Sequence, residues 1–198
     1  MAFTAKDVQE LRQRTGAGMM ECKRALEETG GDLEKAVDFL RTRGIAKAEK
    51  RVGKQTSEGM IASYIHHNGR IGVLVEVNCE TDFVARTDDF KTLARELALH
   101  IASAAPMAVD RDGVPAERIE RERAIFEEQA RASGKPDAIV RKMVEGKLES
   151  YYKEAALLHQ PWVREPKKSV GDLVKEASAR LGEHIQVRRF VRFQMGEE

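Results

Sequence analysis

Near the start of the chain, apolar positions recur at three- and four-residue spacing, and each run ends at glycine. Thr4-Ala-Lys-Asp7 has capping-box spacing with Asp in place of Glu, and Val8 and Leu11 mark one face of a helix that Thr15-Gly16 stops. From Gly18, the residues Met19, Cys22, Ala25 and Leu26 mark a second helix, which ends at Gly30-Gly31. Asp32 caps a third, with Ala36, Val37, Phe39 and Leu40 inward. These three short helices close by Gly44. Ile45 to Glu58 is rich in Lys, Arg, Ala and Gln with hardly any large apolar residue, and it reads as a linker with room for some helix.

The period changes from Gly59. Met60-Ile-Ala-Ser-Tyr-Ile-His66 and Ile71-Gly-Val-Leu-Val-Glu-Val77 flank His67-Asn68-Gly69-Arg70, and Asn-Gly is the preferred centre of a two-residue type I′ hairpin. That turn pairs His67 with Arg70 and Tyr64 with Val73. It places Met60, Ala62, Tyr64, Val73, Val75 and Val77 on the core face. The last segment also alternates: Ile185, Val187, Val191, Phe193 and Met195 share a face, with Gln186, Arg188, Arg192 and Gln194 opposite, which predicts a third antiparallel strand. Helices lie between. Phe90, Leu93, Ala94, Leu97 and Ile101 form a stripe from Thr87-Asp88-Asp89 to Ala105-Pro106. Pro115 opens another helix ending at Ser133-Gly134, and Pro136 opens a longer one to about Leu158. Gln160 to Pro166 reads as a loop, and Ser169-x-x-Asp172 caps the last helix. The expected fold class is α+β. A three-helix module (1–44) and a basic linker (45–58) precede a core domain (59–198) with a three-stranded antiparallel sheet packed with helices.

With 34 Lys+Arg against 33 Asp+Glu the formal charge is +1, so no global field draws the 198-residue chain to nucleic acid or membrane. The first residues carry no apolar run after a basic cluster, and Leu97 to Val109 falls short of a membrane span. A soluble, cytoplasmic protein is expected, with no membrane partner and no direct nucleic-acid contact. Cys22 and Cys79 have neither CxxC spacing nor a His partner, so two packed, reduced thiols are expected and no cofactor or metal. His66 and His67 point to opposite faces of a strand and read as turn residues.

Three candidate surfaces remain. Thr15-Gly-Ala-Gly-Met-Met20 fails as a phosphate loop because no strand precedes it and no Gly-Lys-Ser/Thr occurs, and it reads as a tight turn exposing Met19 or Met20 to a partner. Arg41, Arg43, Lys47, Lys50, Arg51 and Lys54 form either a phosphate-binding stripe or, since no aromatic is interleaved, a solvated linker. Arg188, Phe190 and Arg192 face away from the expected core, as a contact surface or an ordinary sheet exterior. The stretch Glu76-Val-Asn-Cys-Glu-Thr-Asp-Phe-Val-Ala-Arg86 leaves a buried strand and must become helix by about Asp88, so Thr81-Asp82-Phe83 lies at a corner. From pattern alone Phe83 is either core or an anchor for another protein, with the core reading slightly favoured. No spacing announces a catalytic dyad or triad.

Two stretches go further. Leu11-Arg-Gln-Arg-Thr-Gly-Ala-Gly-Met-Met-Glu-Cys-Lys-Arg-Ala-Leu26 and Gly72-Val-Leu-Val-Glu-Val-Asn-Cys-Glu-Thr-Asp-Phe-Val-Ala85 resemble the two signatures of the elongation factor Ts family, and the resemblance resumes in Gly182-Glu-His-Ile-Gln-Val-Arg-Arg-Phe190. It implies that residues 1–44 form a module similar to ubiquitin-associated domains, docking on the GTPase domain of elongation factor Tu through Leu11, Arg12, Gly16, Gly18, Met19 and Met20. It implies that Thr81, Asp82, Phe83 and Val84 insert near the magnesium site of that GTPase. The implied function is guanine-nucleotide exchange in translation elongation, without covalent chemistry. The chain stops three residues after Met195, where longer relatives continue, and short members of the family pair. A non-covalent homodimer is therefore expected through the core domain. The alternative is a scaffold that acts through the N-terminal module and leaves nucleotide untouched.

Overall fold

The structure, a computed structural model, describes residues 3–197. Among the described residues, eight α-helices and a three-stranded antiparallel sheet give the expected α+β class. Helices α1 (Ala5–Thr15), α2 (Met19–Glu28) and α3 (Leu33–Glu49) open the chain. Asp7 Oδ2 accepts from Thr4 N at 2.6 Å and Thr4 Oγ1 accepts from Asp7 N at 3.4 Å, the reciprocal cap the sequence predicts. Val8, Leu11, Cys22, Ala25, Leu26 and Ala36 are buried together, with Val37, Phe39 and Leu40 packed against them. At the head of α3, Asp32 Oδ1 accepts from Lys35 N at 3.1 Å. Asp32→Ala removes that cap and should cost about 1 kcal/mol, read as a lower urea midpoint at unchanged slope.

Helix α3 passes through Gly44 and ends five residues later. A Cβ at Gly44 would lie 3.0 Å from Ala179 Cβ in helix α8 (Val170–Leu181), so this glycine allows close packing and does not stop the helix. The start of the expected linker is consequently helical.

The sheet has the order β1 (Glu58–Ile65), β2 (Ile71–Cys79), β5 (Gln186–Gln194). His66 N donates to Ile71 O at 2.9 Å, in the register that sets Tyr64 opposite Val73. The turn is wider than expected. Gly69 is left-handed (φ 68°), but Ala105 is the one described non-glycine residue with positive φ, so Asn68 does not take the type I′ conformation. A loop over 67–70 forms instead, closed by Gly69 N on His66 O at 2.7 Å and Arg70 N on Asn68 Oδ1 at 3.0 Å. His67 lies in that loop, outside the strand alternation, and its ring comes within 4.2 Å of the His66 ring rather than pointing away.

Ala62, Val73, Val75 and Val77 are buried and Met60 and Tyr64 half-buried, as predicted. The last strand departs from its pattern. Ile185 and Val187 are buried, but Val191, Phe193 and Met195 are exposed where strict alternation predicts core. The phase slips at Arg188 and Arg189, both exposed and both reaching Glu76, with Arg189 Nε 2.7 Å from Glu76 Oε2. One extra residue of this kind turns every following side chain to the other face. Phe190, Arg192 and Gln194 thus turn inward, and Arg192 Nε donates to Ala102 O at 3.4 Å.

Between β2 and β5 lie α4 (Asp82–Ala85), α5 (Asp88–Ala104), α6 (Ala116–Arg131) and α7 (Asp137–Ala155). The buried stripe of α5 is Phe90, Leu93, Ala94, Leu97 and Ile101, as read from spacing. Helix α7 stops at Ala155, three residues early. The segment expected as a loop contains a short antiparallel ribbon, β3 (Pro161–Trp162) with β4 (Glu165–Ser169). Its prolines mask it in the sequence, because proline signals breaks and fits only strand edges. Gln160 anchors the ribbon: its Nε2 donates to Glu154 O at 2.6 Å, and its Oε1 lies 2.9 Å from Nε2 of the buried His100, whose pKa burial lowers.

The chain forms two compact units. The first runs through Gly59 and adds Asn78–Lys91 and Val174–Gln186; the second comprises Met60–Val77, Thr92–Leu173 and the residues from Val187 on.

Candidate functional site

Both groups of residues singled out in the sequence fall in the first unit. The α1–α2 connection exposes Arg12, Gly16, Gly18 and Met19, and Met20 is 73% exposed. Gly16 ends α1 in the left-handed region (φ 69°), and Gly18 serves as the N-cap of α2. Leu11 differs from its neighbours. It is completely buried in the module core and offers no side-chain surface, so its part is to support the connection from beneath. Beside Met20 a groove of about 520 Å³ opens, lined by Phe39 and Leu40 together with Lys23, Arg24, Glu27 and Arg43.

Thr81–Val84 makes a single turn. Thr81 caps α4, its Oγ1 accepting from Val84 N at 3.4 Å. Phe83 is 78% exposed, which decides against the core reading that pattern alone favours. Asp82 is half-buried and pairs with Arg86 at 2.7 Å. Val84 is half-buried and Thr81 exposed.

Sequence reasoning missed what surrounds this turn. Glu183 Oε2 accepts from the amides of Glu80 and Thr81, both at 3.0 Å, and its Oε1 accepts from Thr81 Oγ1 at 2.6 Å. Glu80 reaches the other way, accepting from His184 N at 2.7 Å and from Arg51 at 2.8 Å. Lys54 Nζ adds a longer contact of 3.4 Å. The only signal in the sequence was the family-like stretch from Gly182, which carries no chemistry by itself.

Burial pushes the Glu80 carboxyl upward, but the His184 amide, Arg51 and Lys54 outweigh it and bring its pKa from 4.5 to about 2. A folded pKa below the unfolded one means that the contribution is complete above about pH 4.5 and is lost as pH falls toward 2. Urea unfolding at pH 5 and pH 3 should therefore show a smaller loss of stability for Glu80→Gln than for the unsubstituted protein.

The basic stripe of the linker is largely neutralised within the same unit. Arg51 and Lys54 meet Glu80, Arg41 meets Glu176 at 2.7 Å, and Lys47 meets Glu21. Cys22 and Cys79 are free and buried, and burial together with the Glu183 charge pushes the Cys79 thiol up to about 11. Such a thiol stays protonated and unreactive near neutrality. Among the described residues, no three His, Cys, Asp or Glu side chains are placed to share a metal ion, and no helix is long and apolar enough to cross a membrane.

The first unit thus exposes an aromatic on a capped single turn and two methionines at the α1–α2 connection. Comparison with known proteins gives the family. The sequence model described as Elongation factor TS matches residues 5–197. The chain belongs to the elongation factor Ts family. It is 54% identical over 197 residues to elongation factor Ts of Fervidobacterium nodosum, covering 100% of both chains. It is 57% identical over 197 residues to that of Coprothermobacter proteolyticus, again covering 100% of both. With the Heliobacterium modesticaldum protein it shares 57% identity over 194 residues, 98% of this chain and 90% of the relative. Membership places the chain among the elongation factors of protein synthesis, and it turns the exposed residues of the first unit into candidates for a role in translation.

Proposed function

We propose that this chain is a guanine-nucleotide exchange factor that binds elongation factor Tu and speeds GDP release in the cytoplasm. The observation that carries the reading is Phe83, 78% exposed on a capped turn in the same compact unit as the N-terminal module. In this reading Arg12, Gly16, Gly18, Met19 and Met20 dock on the GTPase, with Leu11 holding their connection from below. Thr81, Asp82, Phe83 and Val84 then enter near its magnesium site.

The energetics follow from linkage. If the chain binds the nucleotide-free GTPase better than the GDP form, it weakens GDP by the same factor that GDP weakens the complex. Each tenfold corresponds to about 1.4 kcal/mol. A wedge that disturbs magnesium and phosphate contacts supplies this without making or breaking a covalent bond, so no catalytic group is needed. The working form is a homodimer, supported by the exposed Ile61, Ile65, Leu74, Val191 and Phe193 on one face of the sheet, an apolar surface of the kind that marks an interface. The test is release of labelled GDP from the purified GTPase, with a pull-down in the presence and absence of excess GDP. Accelerated release, and capture that GDP weakens, are expected. Capture indifferent to GDP with no acceleration would sink the exchange reading and leave a scaffold.

A further inference from the structure

Helix α4 is four residues long and none of them is buried. One turn of helix does not sustain itself, because nucleation fixes several dihedrals for a single hydrogen bond. Neither its own length nor burial can aim Phe83, so the aim must come from outside the turn. We propose that Glu183 and Glu80 form a reciprocal latch that sets the orientation of the Thr81–Val84 turn, making both positioning residues for the nucleotide release described above; the proposal rests on that reading.

The two carboxylates cross. Glu183 leaves the 182–184 connection to take the amides of Glu80 and Thr81, while Glu80 returns to take the amide of His184 in that same connection. Each side chain caps the backbone from which the other departs, so the segments hold each other in one relative position. Both acceptors are well filled: Glu183 receives three hydrogen bonds, and Glu80 receives the His184 amide, Arg51 and Lys54. Through Arg51 and Lys54 the latch also ties down the segment that follows α3.

The Thr81 hydroxyl links latch to turn. It has one proton, and Glu183 Oε1 takes it at 2.6 Å. With that proton committed, the oxygen faces Val84 N as an acceptor only, which is what a helix cap requires. Glu183 thus acts on α4 twice, by fixing the backbone on which the turn begins and by selecting the rotor state of its cap. Hydrogen bonds to a charged acceptor are stronger than neutral ones and their loss is felt accordingly.

The experiment uses the full chain carrying Glu183→Ala, and Glu183→Gln as an isosteric second variant that leaves no cavity. A glutamine can offer its single oxygen to the two amides only as a neutral, weaker acceptor, and its NH2 group then meets the Thr81 hydroxyl as a donor where Glu183 accepts. Two readouts are taken on each protein. Hydrogen exchange of the Glu80, Thr81 and Val84 amides, in the chain alone, reads the latch. Stimulated GDP release against concentration separates the maximal rate from the half-saturating concentration. Both variants should lose about tenfold in protection at these amides and about tenfold in maximal rate, with half-saturation moved less than about threefold because the N-terminal docking surface is intact. A merely structural glutamate would shift thermal stability without this split. Wild-type protection in Glu183→Gln would overturn the latch. Loosened amides with an undiminished maximal rate would overturn the positioning role while leaving the exchange reading standing. If the unsubstituted protein fails to speed GDP release, the exchange reading falls and the positioning role with it, and the amide readout still decides whether the latch exists.

Discussion

Phe83→Ala should lower stimulated GDP release by about 30-fold or more while leaving the protein folded. The size of the loss follows from what such a residue does at an interface. A large aromatic that anchors into a partner typically costs at least about 2 kcal/mol when truncated, which is roughly 30-fold. The absence of a folding penalty follows from its exposure of 78%: the ring leaves little packing behind in this chain when removed. Surface substitutions of this kind stay within about 0.5 kcal/mol. Paired measurements of GDP release and urea unfolding on the one variant decide it. A Phe83→Ala protein that exchanges like the original would dispose of the wedge, and one that unfolds early would return Phe83 to the core.

The second large effect concerns the sheet. In the homodimer proposed above, Leu74→Glu combined with Phe193→Glu should raise the dissociation constant by at least about 100-fold, seen as a shift from dimer to monomer in sedimentation equilibrium. Leu74 is 48% and Phe193 68% exposed, so neither contributes much to the interior of one copy. In a two-fold interface each substitution appears twice. Taking an unpaired polar group out of water costs about 1–3 kcal/mol by mutational measures, so four carboxylates exceed the roughly 2.7 kcal/mol that corresponds to 100-fold. Dimers that survive both substitutions would locate the pairing elsewhere, and a monomeric parent protein would remove the dimer altogether.

How much of this was legible in the sequence depends on the range of the cause. The capping box at Thr4, the Asp32 cap and the buried stripe of α5 are set within one or two turns, and they were readable because local spacing determines them. Gly44 was misread because its reason lies in Ala179, far along the chain, and a glycine that admits a neighbour looks in sequence like one that ends a helix. The last strand was misread past Arg188 because a one-residue slip preserves alternation on either side, leaving nothing in the pattern to announce it. Val191, Phe193 and Met195 look like core by spacing and are surface in the fold. For the candidate site, pattern located the corner at Thr81–Val84 but favoured burying Phe83. Glu80 and Glu183 were invisible, since a carboxylate that caps a distant backbone has the same signature as one that faces water.

The crossed carboxylates also impose an order in time. Thr81 and Glu183 are 102 positions apart, so during synthesis the turn that carries Phe83 leaves the ribosome long before the residue that aims it. At about 5–20 residues per second the gap is roughly 5–20 s. Through that interval the N-terminal helices can already be folded while the Phe83 turn lacks its partner. In the exchange reading proposed above, a nascent chain therefore acquires its docking surface about 100 residues of synthesis before its wedge is aimed.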